Sequence, residues 1–196
     1  MAGPARQRIL DAAIALLRQR GISRLTTRDI AQAADAAEGS ITKNFGGKAG
    51  LLTAILSQEL PELRAWRDAA TPPGQRPMRT VLVDLIDRGI TYYTASLPLT
   101  AGAIADHDLF TTYQKTNHDN TTGPHLAINE IADYLTACQT TGELAATADP
   151  YAMALAICGA AQTQAYAAYI GGPDALRGTR AQRLAALADL LLAGHH

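Results

Sequence analysis

Seven side chains between positions 27 and 48, Thr27, Arg28, Ser40, Thr42, Lys43, Asn44 and Lys48, are hydroxyls, an amide and cations. This is the chemistry that a nucleic acid duplex asks for. Hydroxyls and amides hydrogen-bond to base edges, and cations and helix-start N–H groups meet phosphate. Ser40, Lys43 and Asn44 are expected to face the bases and flanking phosphates. Thr27, Arg28, Thr42 and Lys48 are better placed for phosphates, with Thr27 and Lys48 at the starts of helices, where backbone N–H groups also point outward. Gly39, early in a short helix, costs about 1 kcal/mol relative to alanine. That cost is reasonable where a backbone must approach a groove about 12 Å wide.

A second set of groups lies further along the chain. Tyr92, Tyr93, Phe110, Tyr113, Asn129, Gln162 and Tyr166 are aromatic and amide groups expected to project into a helical body, where ligand sites are mostly apolar with a few placed polar groups. His107, His118 and His125, with Asp106, Asp108 and Asp119, raise a metal reading. Their spacing does not put two histidines on one helix face, so no metal and no cofactor is expected. No Ser-His-Asp order, phosphate loop, CxxC or paired-carboxylate arrangement stands out, and the sequence is not read as an enzyme.

These groups need elements to hold them. Ile9, Ala12, Ala13, Leu16 and Leu17 recur at helical spacing over 5–20, and Gly21 stops that helix. Ile22 and Leu25 continue the apolar set. Residues 26–45 then read as two short helices with a turn at Asp35, the second restarting at Glu38-Gly39-Ser40-Ile41 and closing on Phe45. A helix over 48–68 carries Leu51, Leu52, Ile55, Leu56 and Leu63, and Pro61 should kink it or break it one turn earlier. Beyond a Thr-Pro-Pro-Gly linker at 71–74, helices are expected over 78–95, 99–109, 124–140, 149–170 and 179–193, with Pro98 following the end of the first of these. The polar stretch 111–123 is left unassigned. The expected class is all-α, about nine helices, with a three-helix head at 1–47 and a larger helical body at 48–196.

The order of features in residues 5–56 is similar to the tetracycline-repressor (TetR) family of bacterial transcription regulators. The resemblance is carried by Ile9 to Leu17, Gly21, Thr27-Arg28-Asp29-Ile30-Ala31, Glu38-Gly39-Ser40-Ile41, Phe45, and Lys48 with Leu51-Leu52. It implies a helix-turn-helix DNA-binding head and a variable body that binds a small molecule and dimerises through its last two helices. Four positions depart from the family pattern. Asp35 replaces the turn glycine, Ala37 the capping serine, Thr42 a tyrosine, and Ala49 the acid after the lysine. Asp35 tolerates a left-handed turn, whereas Ala37 leaves the recognition helix without a side-chain cap, a loss of roughly 1 kcal/mol.

Charge supports the same division. Residues 1–50 hold eight basic and four acidic side chains, a net of +4, and the remaining 146 carry −5. A basic end suits a polyanion, and an acidic body does not. Cys138 and Cys158 sit in apolar helical patterns, the setting of buried thiols in a reducing compartment. No apolar run approaches the roughly eighteen residues a membrane span needs, and the first residues lack the apolar core of a signal peptide. Residues His195 and His196 read equally as native residues or as the remnant of a tag, and carry no functional weight. The expectation is a cytoplasmic, ligand-responsive repressor that binds a palindromic DNA operator as a homodimer and is released by a largely apolar effector. The alternative is a helical small-molecule-binding or enzyme-like protein whose degenerate head lacks specific DNA binding.

Overall fold

The computed structural model describes residues 4–21, 25–56, 60–119 and 123–193. Ile22, His195 and His196 lie outside the described residues. Ten helices and no strand are present among the described residues: α1 Pro4–Arg20, α2 Thr27–Ala33, α3 Gly39–Phe45, α4 Lys48–Ala54, α5 Pro61–Arg67, α6 Met78–Ile104, α7 His107–Asp119, α8 His125–Thr140, α9 Pro150–Gly171 and α10 Arg180–Ala193. The all-α class is as expected, with three differences in the division.

The helix expected over 48–68 is two helices, and Pro61 opens the second, where its missing N–H leaves no hydrogen bond unmade. Pro98 lies inside α6 rather than after it. Burial of Leu99 and Ala103 on the following turns offsets the lost backbone bond. The unassigned polar stretch is the greater part of α7. Asp106 accepts from the Leu109 N–H at 3.0 Å at the start of that helix, and three threonine hydroxyls donate back along it to His107, Asp108 and Thr112.

Two units make up the chain. The described residues of Met1–Pro61 with Ala95–Gly123 form one, and Glu62–Thr94 with Pro124–His196 the other. In the first, Ile9, Leu10, Leu25, Ile30, Ile41, Leu51, Leu52 and Ile55 are almost wholly buried, and α7 packs along α4, where the Thr53 hydroxyl donates to Asn117 Oδ1 at 3.2 Å. In the second, Leu82, Leu85 and Ile86 of α6 are buried, as are Leu135 and Cys138 of α8 and Ile157 and Ala161 of α9. Asp149 caps α9 by accepting from the N–H groups of Tyr151 and Ala152, both at 3.0 Å. Arg79 and Arg180 on α6 and α10 pair with Asp189 and Asp87 across these two helices at 2.6 Å.

The junction of α3 and α4 depends on glycine. Gly46 and Gly47 have φ of 72° and 114°, which side chains rarely adopt. A Cβ on Gly50 would fall on the Phe45 carbonyl oxygen. Gly50→Ala is therefore expected to destabilise the chain by about 1–3 kcal/mol, the range for forcing atoms into a packed site. Urea unfolding, with circular dichroism as the readout, measures this directly, and Gly39→Ala, which meets nothing nearby, is the control.

Candidate nucleic-acid interface and effector cleft

Helices α2 and α3 are seven residues each and lie on α1 through Ile30, Ala31, Ala34 and Ile41, all buried. A capping box opens α2. The Thr26 hydroxyl accepts from the Asp29 N–H at 3.1 Å, and the Asp29 carboxylate accepts from the Thr26 N–H at 3.0 Å. The turn to α3 contains Asp35 at φ 48°, the left-handed value anticipated for it. Arg8 of α1 reaches this turn, its Nε donating to the Ala34 carbonyl at 3.2 Å and its Nη2 approaching that of Asp35 at 3.5 Å. Arg6 lies over the Phe45 ring, 5.2 Å from its centroid, at the far end of α3. Two arginines that enter the sequence reading only as charge thus hold the turn before α3 and the last residue of α3. Their position on α1, Arg6 one turn before the buried Ile9 and Leu10 and Arg8 directly beside Ile9, is the signal that could have found them.

The side chains expected at DNA have different surroundings. Arg28, Thr42 and Lys43 are exposed, and Ser40 and Lys48 are half-buried. Thr27 donates its hydroxyl to Glu38 Oε1 at 3.0 Å, so it is engaged within the head. Asn44 is exposed, but its amide N–H donates to the Ser40 carbonyl one turn earlier at 2.7 Å, leaving Oδ1 as its outward group. Glu38, not singled out from sequence, occupies the N-cap of α3 and makes no cap hydrogen bond, in keeping with the missing serine. The hydrogen bonds from Thr26 hold the Asp29 carboxyl below its ordinary value. A depressed folded-state value adds stability above the unfolded pKa of about 4, and that stability is lost as pH falls through the folded value. Asp29→Asn is expected to flatten the fall in stability of the head between about pH 5 and pH 2, followed by acid titration of helical circular dichroism.

The second unit holds a cleft of about 150 Å³ lined by Leu63, Trp66, Arg67, Ala70, Leu85, Ala127, Glu130 and Ile131. Trp66 is buried and stacks on Tyr92 with ring centroids 5.3 Å apart, while Tyr93 meets it edge-on at 5.4 Å. Gly89 of α6 makes room for this packing, since a Cβ there would sit 3.0 Å from both Trp66 and Ala161. Burial raises the Tyr93 phenol, which hydrogen-bonds Cys158, and burial pushes the Cys158 thiol up to about 11. Both cysteines are free and buried.

Of the residues expected around a ligand, Tyr92 and Tyr93 adjoin the cleft through Trp66. Asn129 is exposed on α8, and Gln162 and Tyr166 are exposed on α9. Phe110 and Tyr113 are half-buried on α7, in the other unit, and Tyr113 hydrogen-bonds Asn117. None of these seven residues lines the cleft itself. Its own lining went unnoticed because Leu63, Leu85 and Ile131 look like ordinary core positions in sequence. The sole tryptophan, followed directly by an arginine, was the available signal.

The outer face of α9 exposes Tyr151, Leu155, Tyr166, Tyr169 and Ile170, each near half exposed or more, and α10 adds Leu190 at 71%. The small residues Ala152, Ala156, Gly159 and Thr163 are exposed on the same helix.

Comparison with known proteins places the head. The sequence profile described as bacterial regulatory proteins, tetR family, matches residues 9–55. Over 55 residues the chain is 47% identical to the uncharacterized HTH-type transcriptional regulator YvkB of Bacillus subtilis (strain 168), covering 28% of this chain and 29% of that protein. Over 73 residues it is 34% identical to the HTH-type transcriptional repressor KstR of Rhodococcus jostii (strain RHA1), covering 37% and 34%. The chain thus matches about a third of the length of these curated relatives. Along nearly its whole length it shares a fold with Salmonella enterica GusR, with a TM-score of 0.69 at 20% identity and coverage of 97% and 96%. The head is thus similar in sequence, over residues 9–55, to the bacterial regulatory proteins of the tetR family, and the helical fold of the whole chain is similar to that of GusR.

Proposed function

We propose that this chain is a ligand-responsive transcriptional repressor that acts in the cytoplasm, binds a palindromic operator as a homodimer, and releases it when a small molecule occupies the second unit. The observation that carries this reading is α3, with Arg6 over its last residue and Arg8 holding the turn before it, and with Thr42 and Lys43 turned to solvent inside a segment of net +4. Residues 1–47 serve DNA, and residues 48–196 serve ligand and dimer. That division is one of roles, since the compact unit holding the head also takes in residues up to 61 and 95–123. Ser40, Lys43 and the Asn44 Oδ1 meet base edges and flanking phosphates. Arg28, Thr42 and Lys48 neutralise or bond phosphates, and Thr27 joins them by releasing Glu38. Among the described residues no helix is long and apolar enough to cross a membrane.

The partner surface is the outer face of α9 with α10. Tyr166, Ile170 and Leu190 are large apolar side chains more than half exposed. Covering such a side chain stabilises by roughly 1.5–3 kcal/mol. A self-complementary pairing of two helices from each copy buries that face and gives the two-fold symmetry that a palindrome mirrors, with recognition helices about 34 Å apart. Ligand and operator then influence each other's affinity by the same factor.

Lys43→Ala is expected to weaken operator binding, more at low salt than at high, and to lower the salt slope by about 1, measured by fluorescence anisotropy on a labelled duplex across a salt series. Equal affinity for all duplexes would favour a head without specific binding. Leu190→Glu is expected to shift the chain from dimer to monomer in sedimentation velocity and to cut operator affinity by more than about tenfold, because the two heads no longer bind as one.

A further inference from the structure

Arg67 and Glu130 form a bidentate ion pair on the wall of the cleft. Arg67 Nε donates to Glu130 Oε2 and Arg67 Nη2 to Glu130 Oε1, both at 2.8 Å. The other lining residues, Leu63, Trp66, Ala70, Leu85, Ala127 and Ile131, are apolar apart from one indole N–H. An apolar hollow with a single guanidinium on its wall has a narrow choice of guests. Its volume of about 150 Å³ is the size of a dry cavity that holds one benzene ring. The planar fork of arginine matches a carboxylate through two parallel hydrogen bonds. Here that fork already carries one, supplied by Glu130. The Glu130 side chain is 46% exposed, so it can turn into water with little loss, exposed pairs of this kind being weak.

We propose that the cleft binds a small apolar carboxylic acid, one aromatic ring or a short hydrocarbon chain bearing a carboxylate, with Arg67 as its anion receptor. The ring or chain lies among Leu63, Trp66, Leu85 and Ile131, and the ligand carboxylate takes the place of Glu130 on the Arg67 guanidinium. Glu130 is then a built-in competitor that holds Arg67 in its binding orientation until an acid arrives. This rests on the effector reading of the cleft, and the test below separates the two.

Trp66 is the sole tryptophan of the chain, so its fluorescence reports occupancy without a label. The full-length protein is titrated, in the absence of DNA, with phenylacetate and with benzyl alcohol, an uncharged probe of similar size. Phenylacetate is expected to give a saturable change with Kd below about 1 mM and to bind at least about tenfold more tightly than the alcohol, the ratio that hydrogen bonds to a charged group supply. That ratio is expected to collapse toward one in Arg67→Met. In Glu130→Gln, phenylacetate affinity is expected to rise several-fold as the competing charge is removed. Equal affinity for acid and alcohol in the wild-type chain, or no saturable change with either probe, overturns the inference. So does weaker phenylacetate binding in Glu130→Gln. Operator binding is followed separately by anisotropy. Acid that binds without changing DNA affinity supports the site and removes its effector role, whereas intact operator binding with no acid binding overturns the site and leaves the regulator.

Discussion

Helices of seven residues do not persist alone in water, because nucleation is costly and too few hydrogen bonds follow it. Helices α2, α3 and α4 are all of this length. Their existence therefore depends on tertiary packing: α2 and α3 lie on α1, where Ile9, Leu10, Ala13 and Leu17 are buried with Ile30 and Ile41, and α4 buries Leu51 and Leu52 while packed on α3 and α7. Every group proposed to face DNA is carried by one of these short helices, so the head is only as well ordered as that core. The reciprocal cap of Thr26 and Asp29 helps at the first of them, and Arg8 adds polar restraint at the turn, where Asp35 stands in place of glycine. Where a capping serine is missing, at the start of α3, no side-chain bond replaces it.

The second unit is arranged on a different principle. Apart from the seven-residue α5, its helices are long, and their stability comes from broad apolar faces. Gly89, Ala161 and Trp66 interlock at one crossing, and the tryptophan continues into the aromatic group of Tyr92 and Tyr93. The same tryptophan is a wall of the cleft. A guest there touches the packing that sets the neighbouring helices, which is the physical requirement for a ligand to bias more than its own pocket. The outer face of α9 has the opposite character: its tyrosines and Ile170 are left in water, an arrangement that a monomer has little reason to keep.

Much of this was legible in the amino-acid order. The apolar spacing of Ile9 to Leu17, the hydroxyl pair at Thr26 and Thr27, and the prolines at 124 and 150 mark helix bodies and starts that appear where expected. The breaks were less legible. Pro98 reads locally as a stop, yet tertiary burial of Leu99 and Ala103 carries α6 through it. Stretch 111–123 lacks an apolar stripe, yet α7 forms over most of it, held by Asp106 and by burial of Leu109. Side-chain partners were the least accessible. That Thr27 bonds Glu38, that Asn44 folds back on Ser40, and that Arg67 faces Glu130 are long-range or rotameric facts without a sequence period. By sequence pattern Gln162 and Tyr166 belong with the interior of the helical body. In the structure both are exposed, on the side that carries the partner surface proposed above.

The central claim is that two copies of this head read one symmetric duplex. Selection of bound sequences from a random duplex library by the full-length chain, followed by hydroxyl-radical footprinting of the winner, tests it most directly. The account predicts an inverted repeat, with two equivalent protected half-sites whose centres lie about one helical turn, or a small multiple of it, apart. No enriched sequence, or a single unpaired protected site, would contradict it.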